Sequence, residues 1–118
     1  MKILVIDDDL AFREFLGELI GYYSADADVV FAENGVQGLR IFSSNPASFD
    51  IVFTDRRMPG MLGEEVVREI KKISPQTKVV FISGDCQKEI LQVAKAAGAD
   101  KILFKPLQNE ELRQALFF

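Results

Sequence analysis

Five short apolar segments recur along the chain at near-regular spacing, and they constrain the fold more than any other feature. Each is a nearly continuous run of Val, Ile, Leu and Phe, which is typical of strands buried on both faces. They span residues 2–6, 28–31, 50–54, 78–83 and 101–104. Stretches of helical periodicity separate them. Alternation of strands and helices five times over predicts a doubly wound α/β fold, a parallel sheet with helices on both faces.

The helical stretches are expected over residues 36–42, 64–73 and 87–97, and from residue 109 to the end, after a first and clearest one. That first helix follows Asp9, a natural N-cap. Its predicted buried stripe consists of Phe12, Phe15, Leu16, Leu19, Ile20 and Tyr23. Arg13 lies off the stripe. The helical pattern still runs at Phe118, which favours a cut from a longer protein with an output domain at least as much as a natural terminus.

Composition excludes several classes of function. The net charge of −4 disfavours direct nucleic-acid binding, which relies on excess positive charge. The chain has no histidine, which removes Ser-His and Cys-His catalysis and any phosphohistidine made by the chain itself. One cysteine, Cys86, cannot form an intrachain disulfide and fits a reducing compartment. No apolar run suggests a membrane span or a signal peptide, so we expect a cytoplasmic location and no membrane partner.

Polar side chains follow four of the predicted strands. Asp7, Asp8 and Asp9 follow the first, Asp55 the third, Ser83 the fourth and Lys105 the fifth. Ligands of open parallel sheets bind beyond these carboxyl ends. Converging carboxylates repel one another unless a cation lies among them, and magnesium is favoured where carboxylates share it with a phosphoryl group. A lysine and a hydroxyl beside them predict phosphoryl transfer to a carboxylate nucleophile.

Four short motifs carry a resemblance to a known family. They are Val5-Ile6-Asp7-Asp8, Phe53 to Gly60, Ile82-Ser83-Gly84 and Phe104-Lys105-Pro106-Leu107. In this order, at the ends of the correct strands, they resemble the response-regulator receiver domain over essentially the whole chain. The resemblance implies a single receiver domain over residues 1–118, with a flavodoxin-like sheet of strand order 2-1-3-4-5. It also implies a phosphorylation-controlled switch of a two-component phosphorelay.

The resemblance implies a role for each site residue. Asp55 matches the phospho-accepting aspartate. Asp8, Asp55 and the backbone carbonyl of Arg57 match the Mg²⁺ ligands, with Asp7 acting through water. Ser83 and Lys105 match the residues that contact the phosphoryl group, and the Lys105–Pro106 bond is expected to be cis. The donor is expected to be a phosphohistidine of a sensor histidine kinase or phosphotransfer protein. The domain is then no conventional enzyme, because it catalyses only its own phosphorylation and dephosphorylation.

The sequence departs from the family pattern at Ile102, where the family commonly has Tyr or Phe, so we expect switching by a backbone and loop shift. Arg57 is similar to the residue at this place in transcriptional regulators of the nitrogen-regulation type. It is expected to form an ion pair with Asp85 across the mouth of the site.

Two other functions stay open on the residues alone. Asp7 and Asp9 form the Asp-x-Asp of a haloacid-dehalogenase-type phosphatase, although Ala11 replaces that motif's usual Thr or Val. Alternatively, the chain is an interaction module that is never phosphorylated, with Asp9 simply capping a helix and Lys105 a surface lysine.

Overall fold

The strands and helices alternate from one end of the chain to the other in the computed structural model, which describes residues 1–118. The elements are β1 (Lys2–Ile6), α1 (Leu10–Tyr23), β2 (Asp28–Ala32), α2 (Gly35–Ser44), β3 (Ile51–Asp55), α3 (Gly63–Ile73), β4 (Lys78–Ser83), α4 (Lys88–Ala97), β5 (Lys101–Phe104) and α5 (Asn109–Phe117). A single 3₁₀ turn, Pro46–Ser48, precedes β3. The predicted element order is therefore confirmed, with boundaries that move by one or two residues.

All five strands are parallel and lie in the order β2-β1-β3-β4-β5. This is the doubly wound order that the resemblance implied. Successive side chains of a strand point to opposite faces, so the sheet has a core on each side. Leu4 and Ile6 of β1 pack in a core with α2, α3 and α4, whereas Ile3 and Val5 pack in a second core with α1 and α5.

Three burial expectations are wrong. The strand β2 is not buried on both faces, because it forms an edge of the sheet and its Phe31 is 42% exposed. Along α1, Leu16 and Ile20 are buried as predicted, but Phe15 is exposed and Arg13 is buried, contrary to the prediction for these two residues. The side chain of Phe104 is half-buried where full burial was expected. Helical periodicity and hydrophobicity predict only the average face of an element. Arg13 departs from this average because its guanidinium donates to the Asp7 carbonyl.

The chain packs closely on itself at the carboxyl edge of the sheet. Gly63, the first residue of α3, lies so close to the end of β3 that an added Cβ would come within 2.3 Å of the Asp55 carbonyl oxygen. The Lys105–Pro106 peptide bond is cis, as the resemblance implied. No helix has the length and apolar character needed to cross a membrane.

Candidate functional site

Three carboxylates meet at the carboxyl edge of the sheet. The strands β1 and β3 are neighbours with Ile6 opposite Thr54, so the residues that follow, Asp7 and Asp55, lie side by side. Oxygen atoms of Asp7, Asp8 and Asp55 lie within 4.8 Å of one another. Asp7 is 2% exposed and Asp55 8% exposed, whereas Asp8 faces solvent. The sequence predicted this convergence.

Burial disfavours ionisation of Asp7 and Asp55, the two inner carboxylates of the cluster. It raises the pKa of the Asp7 carboxyl, and the Asp55 charge adds to that rise, which the Asp9 backbone amide and Lys105 only partly offset. Burial likewise raises the pKa of Asp55, with a smaller contribution from Asp8. The site therefore holds more negative charge than its own protein groups neutralise.

Lys105 is the cation that enters this cluster. Its Nζ lies 3.1 Å from Asp55 Oδ1 and 3.3 Å from Asp7 Oδ2. Burial lowers the pKa of Lys105, but the Asp55 and Asp7 carboxylates outweigh that effect and raise it. The same Nζ lies 4.1 Å from the centre of the Phe12 ring. One ammonium thus touches both inner carboxylates and an aromatic face.

The loop from β1 to α1 is fixed by hydrogen bonds. The Asp9 amide donates to Asp7 Oδ1 at 2.8 Å, and Asp9 Oδ1 accepts from Ala11 N at 3.0 Å, so Asp9 caps α1. Buried Arg13 donates from Nη1 to the Asp7 carbonyl at 2.7 Å. These contacts hold the turn that presents Asp7 and Asp8.

A small polar cavity opens next to the cluster. Its lining is Asp55, Arg56, Arg57, Ser83, Gly84, Asp85 and Lys105, none of them apolar. Of the three clustered carboxylates, Asp55 is the one that lines it. Ser83 is buried, and its hydroxyl donates to the Asp85 carbonyl at 3.0 Å and accepts from the Asp85 amide at 2.9 Å. In this structure the hydroxyl is therefore engaged by its own loop.

The expected ion pair between Arg57 and Asp85 is not formed. Both residues line the cavity, but Asp85 Oδ1 accepts from the Gln87 amide at 3.1 Å and no salt bridge joins it to Arg57. The preceding arginine forms the ion pair of this loop, since Arg56 Nη2 lies 3.4 Å from Glu64 Oε2. The prediction failed because an acidic residue just before a helix finds backbone amides within closer reach than a side chain across a cleft.

Comparison with known proteins decides the family. The family described as "Response regulator receiver domain" has a sequence model that matches residues 3–117. The chain belongs to this family. Receiver domains are phosphoryl-accepting signalling domains of two-component systems rather than conventional enzymes, so the expected recognition, fold and general function are confirmed and the phosphatase alternative has no support.

Curated relatives agree with the receiver assignment. The chain is 30% identical over 118 residues to sporulation initiation phosphotransferase F of Bacillus subtilis, covering 98% of this chain and 90% of that protein. It is 32% identical over 106 residues to a response regulator receiver protein of Anaeromyxobacter, and 34% identical over 113 residues to a cyclic di-GMP phosphodiesterase of Thermotoga maritima. The chain spans 43% and 29% of the lengths of these last two relatives.

Solved structures agree as well. A receiver domain protein from Clostridium thermocellum superimposes with a TM-score of 0.89 at 36% identity, covering 98% of this chain and 90% of that one. The chemotaxis protein CheY4 of Vibrio cholerae superimposes with a TM-score of 0.85 at 29% identity, covering 98% and 94%. Receiver domains bind Mg²⁺ at an acidic pocket, and the three clustered carboxylates supply the hard oxygen donors that this ion takes.

Sequence reasoning missed two residues that touch this receiver site. Phe12 was assigned to the core and Arg13 to solvent, yet one contacts Lys105 and the other the Asp7 carbonyl. Their position in the sequence could have indicated these contacts. Phe12 and Arg13 lie in the first turn of α1, which stays close to the acidic loop that precedes it.

Proposed function

We propose that Asp55 is the phosphoryl acceptor of this receiver domain. The observation that carries the proposal is its position: of the three clustered carboxylates, Asp55 alone lines the polar cavity, with Lys105 Nζ 3.1 Å from its Oδ1. Asp7 is turned toward the Asp9 amide and Lys105. A donor that enters through the cavity therefore meets Asp55 first.

The reaction is an in-line displacement at phosphorus. A carboxylate oxygen of Asp55 attacks the phosphorus of a phosphohistidine, the P–N bond breaks, and the imidazole leaves with the electron pair and takes a proton. The product is an acyl phosphate on Asp55. In the separate step that ends the signal, water attacks the phosphorus, the bond to Asp55 breaks, the Asp55 carboxylate is regenerated, and inorganic phosphate leaves. The domain itself promotes both steps.

The acidic cluster is the proposed Mg²⁺ site. Asp8, Asp55 and the backbone carbonyl of Arg57 are the ligands, and Asp7 acts through water. When bound, the ion neutralises charge on the transferring phosphoryl group and on the carboxylates around it. The raised pKa of both inner carboxyls supports this assignment, because the protein leaves a negative charge uncompensated here.

Ser83 and Lys105 are proposed to contact the phosphoryl group and to carry the signal. The Ser83 hydroxyl would then exchange its two bonds with Asp85 for a phosphoryl oxygen, which moves the loop between β4 and α4. Ile102 of β5 is half-buried and has no ring to rotate, so the change travels as a backbone and loop shift into α4, β5 and α5.

The proposal also covers the bounds of the domain, its phosphoryl donor and its location. Residues 1–118 form one receiver domain, which receives its phosphoryl group from a sensor histidine kinase or a phosphotransfer protein in the cytoplasm and does not bind nucleic acid directly. The absence of histidine, the net charge of −4 and the unpaired Cys86 support these statements.

The test is phosphorylation by a small-molecule donor. Incubation with acetyl phosphate and Mg²⁺ should add one phosphate that hydroxylamine removes, as read by mass spectrometry of the intact protein. Asp55→Asn should abolish the addition. Asp9→Asn is the matched control in the same site, because Asn caps a helix as well as Asp does. Efficient modification of Asp55→Asn at Asp7 or Asp8 would contradict the assignment, and no modification of the wild type would favour the unphosphorylated interaction module.

A further inference from the structure

The Lys105 ammonium has three close partners, and only two of them are carboxylates. The third is the face of Phe12, whose centre lies 4.1 Å from Nζ. The Lys105 side chain is 27% exposed, so the ammonium is neither fully solvated nor fully enclosed. An ammonium over an aromatic face is attracted by the negative potential of the ring, and more strongly as water is excluded.

The lysine needs such a contact to have one position. Its side chain has four flexible carbons, and fixing it in one rotamer costs conformational entropy. The two carboxylates alone leave the ammonium free to move toward either, at 3.1 Å from Asp55 or 3.3 Å from Asp7. The face of the Phe12 ring adds a third attraction, which favours the position in which Nζ contacts both acids and the ring together.

Phe12 is itself firmly placed. It lies in the first turn of α1, which the Asp9 side chain caps through Ala11 N. It is half-buried against the core between the sheet, α1 and α5, and its ring lies 6.1 Å from that of Phe15. The chain segment that presents Asp7 and Asp8 therefore also presents the ring, which ties the position of the cation to the position of the acids.

We propose that Phe12 is a positioning residue for phosphoryl transfer, whose ring keeps the Lys105 ammonium between Asp7 and Asp55. The inference rests on the proposed function in one respect, that the phosphoryl group forms on Asp55. Phe12 does not touch the reacting atoms and acts through Lys105. Leucine fills similar space without the negative ring face, whereas tyrosine keeps it, so the aromatic character is separable from the packing.

The first measurement observes the contact itself. Protons above a ring face are shifted upfield, so the ε-methylene protons of Lys105 should lie upfield of those of the other lysines in spectra of protein with ¹³C-labelled lysine. Lys105→Arg identifies the signal. The shift should persist in Phe12→Tyr and disappear in Phe12→Leu and Phe12→Met. An unshifted Lys105 signal in the wild type overturns the proposal without any ring variant, and whether or not Asp55 is ever phosphorylated.

The second measurement is the rate of phosphorylation by acetyl phosphate. Phe12→Leu should slow it about fivefold, the size expected of a half-exposed cation–π contact, and Phe12→Tyr should restore it to within about twofold of wild type. Phe15→Leu is the matched control, since it removes the adjacent ring of the same helix without touching Lys105. Equal rates for Phe12→Leu and the wild type would overturn the positioning role. A wild type that is shifted upfield in spectra yet takes up no phosphate would refute the proposed function and leave the ring contact established.

Discussion

Two lysines at opposite ends of the sheet have different environments. At the amino end, Lys71 Nζ donates to the Thr77 carbonyl and to Asp100 Oδ2, both at 2.7 Å, and to the Pro75 carbonyl at 3.2 Å. At the carboxyl end, Lys105 has longer contacts, 3.1 and 3.3 Å, to two of three crowded carboxylates. Lys71 pairs with one carboxylate and two carbonyls. Lys105 faces three clustered carboxylates and leaves them with a surplus of negative charge.

The buried hydroxyls at the two ends differ in the kind of partner that they bond. Ser74 and Thr77, at the amino end, lie 2.7 Å apart and satisfy one another. Ser83, at the carboxyl end, is bonded to the backbone of Asp85, two residues further along the chain, in a loop that also lines the cavity. Polar groups that stabilise a fold find permanent partners. The three clustered carboxylates, in contrast, are kept close to one another with only Lys105 to compensate them, and their stability cost marks the site.

The largest effect is expected from Asp8→Asn, which reduces the charge surplus directly. It removes a proposed Mg²⁺ ligand, so phosphorylation by acetyl phosphate should slow by about tenfold or more. Without metal, the melting temperature should rise by a few degrees, because the Asp8 charge no longer opposes that of Asp55. Thermal melts without metal decide this point, and a clearly lower melting temperature would mean that repulsion does not govern the site.

Lys71→Met should lower the stability of the fold and leave the rate of phosphorylation unchanged. It removes the lysine from two carbonyls and from the Asp100 carboxylate, which keeps its hydrogen bond from the Val79 amide, so the free energy of unfolding should fall by about 2 kcal/mol in urea titrations. Phosphorylation of the folded fraction should not change. Lys72→Met is the control, because Lys72 is 68% exposed, contacts only Glu69 and should matter little. A strong loss of phosphorylation in Lys71→Met would show that the two ends of the sheet are coupled.

The sequence predicted the part of the site that follows from strand geometry. Asp7 and Lys105 each follow a strand, and Asp55 ends one. Parallel strands carry their carboxyl ends to one edge, so the meeting of these residues required no knowledge of side-chain contacts. The orientation of individual side chains was not predictable in this way. Arg13 is buried because one carbonyl lies within reach, and Asp85 faces the Gln87 amide in preference to a guanidinium. Such choices depend on local distances of a few ångströms.

A third prediction concerns pH. Folding raises the pKa of the Asp55 carboxyl above its ordinary value of 3.8, so the folded state holds that proton more tightly than the unfolded chain. The stability this confers is fully present below pH 3.8 and is lost as the pH rises through the folded-state pKa. Lys105 does not titrate in this range, because its own pKa is raised from 10.5. Asp55→Asn has no carboxyl to ionise and escapes the loss.

Metal-free Asp55→Asn should therefore gain stability over wild type as the pH rises above 3.8, as measured by urea unfolding at a series of pH values. Adding Mg²⁺ should narrow the gap at pH 7, because only the wild type keeps the Asp55 carboxylate as a proposed ligand. A gap that is constant with pH would mean that ionisation of Asp55 has no cost in the folded protein, and the contrast between the two ends of the sheet would then lose its electrostatic basis.

The smallest effect is expected at Arg57 and Asp85, whose side chains do not pair although both line the cavity. Arg57 is exposed, and Asp85 Oδ1 is engaged by the Gln87 amide, so neither is set to close the opening over Asp55. We expect Arg57→Ala and Asp85→Ala each to change the lifetime of the phosphorylated protein by less than about twofold. The double variant should show the product of the two changes, because residues without a shared contact act independently. The measurement is the loss of the hydroxylamine-sensitive phosphate over time in all four proteins. Strong non-additivity would show that the two side chains meet once Asp55 is phosphorylated, in an arrangement that differs from the present one.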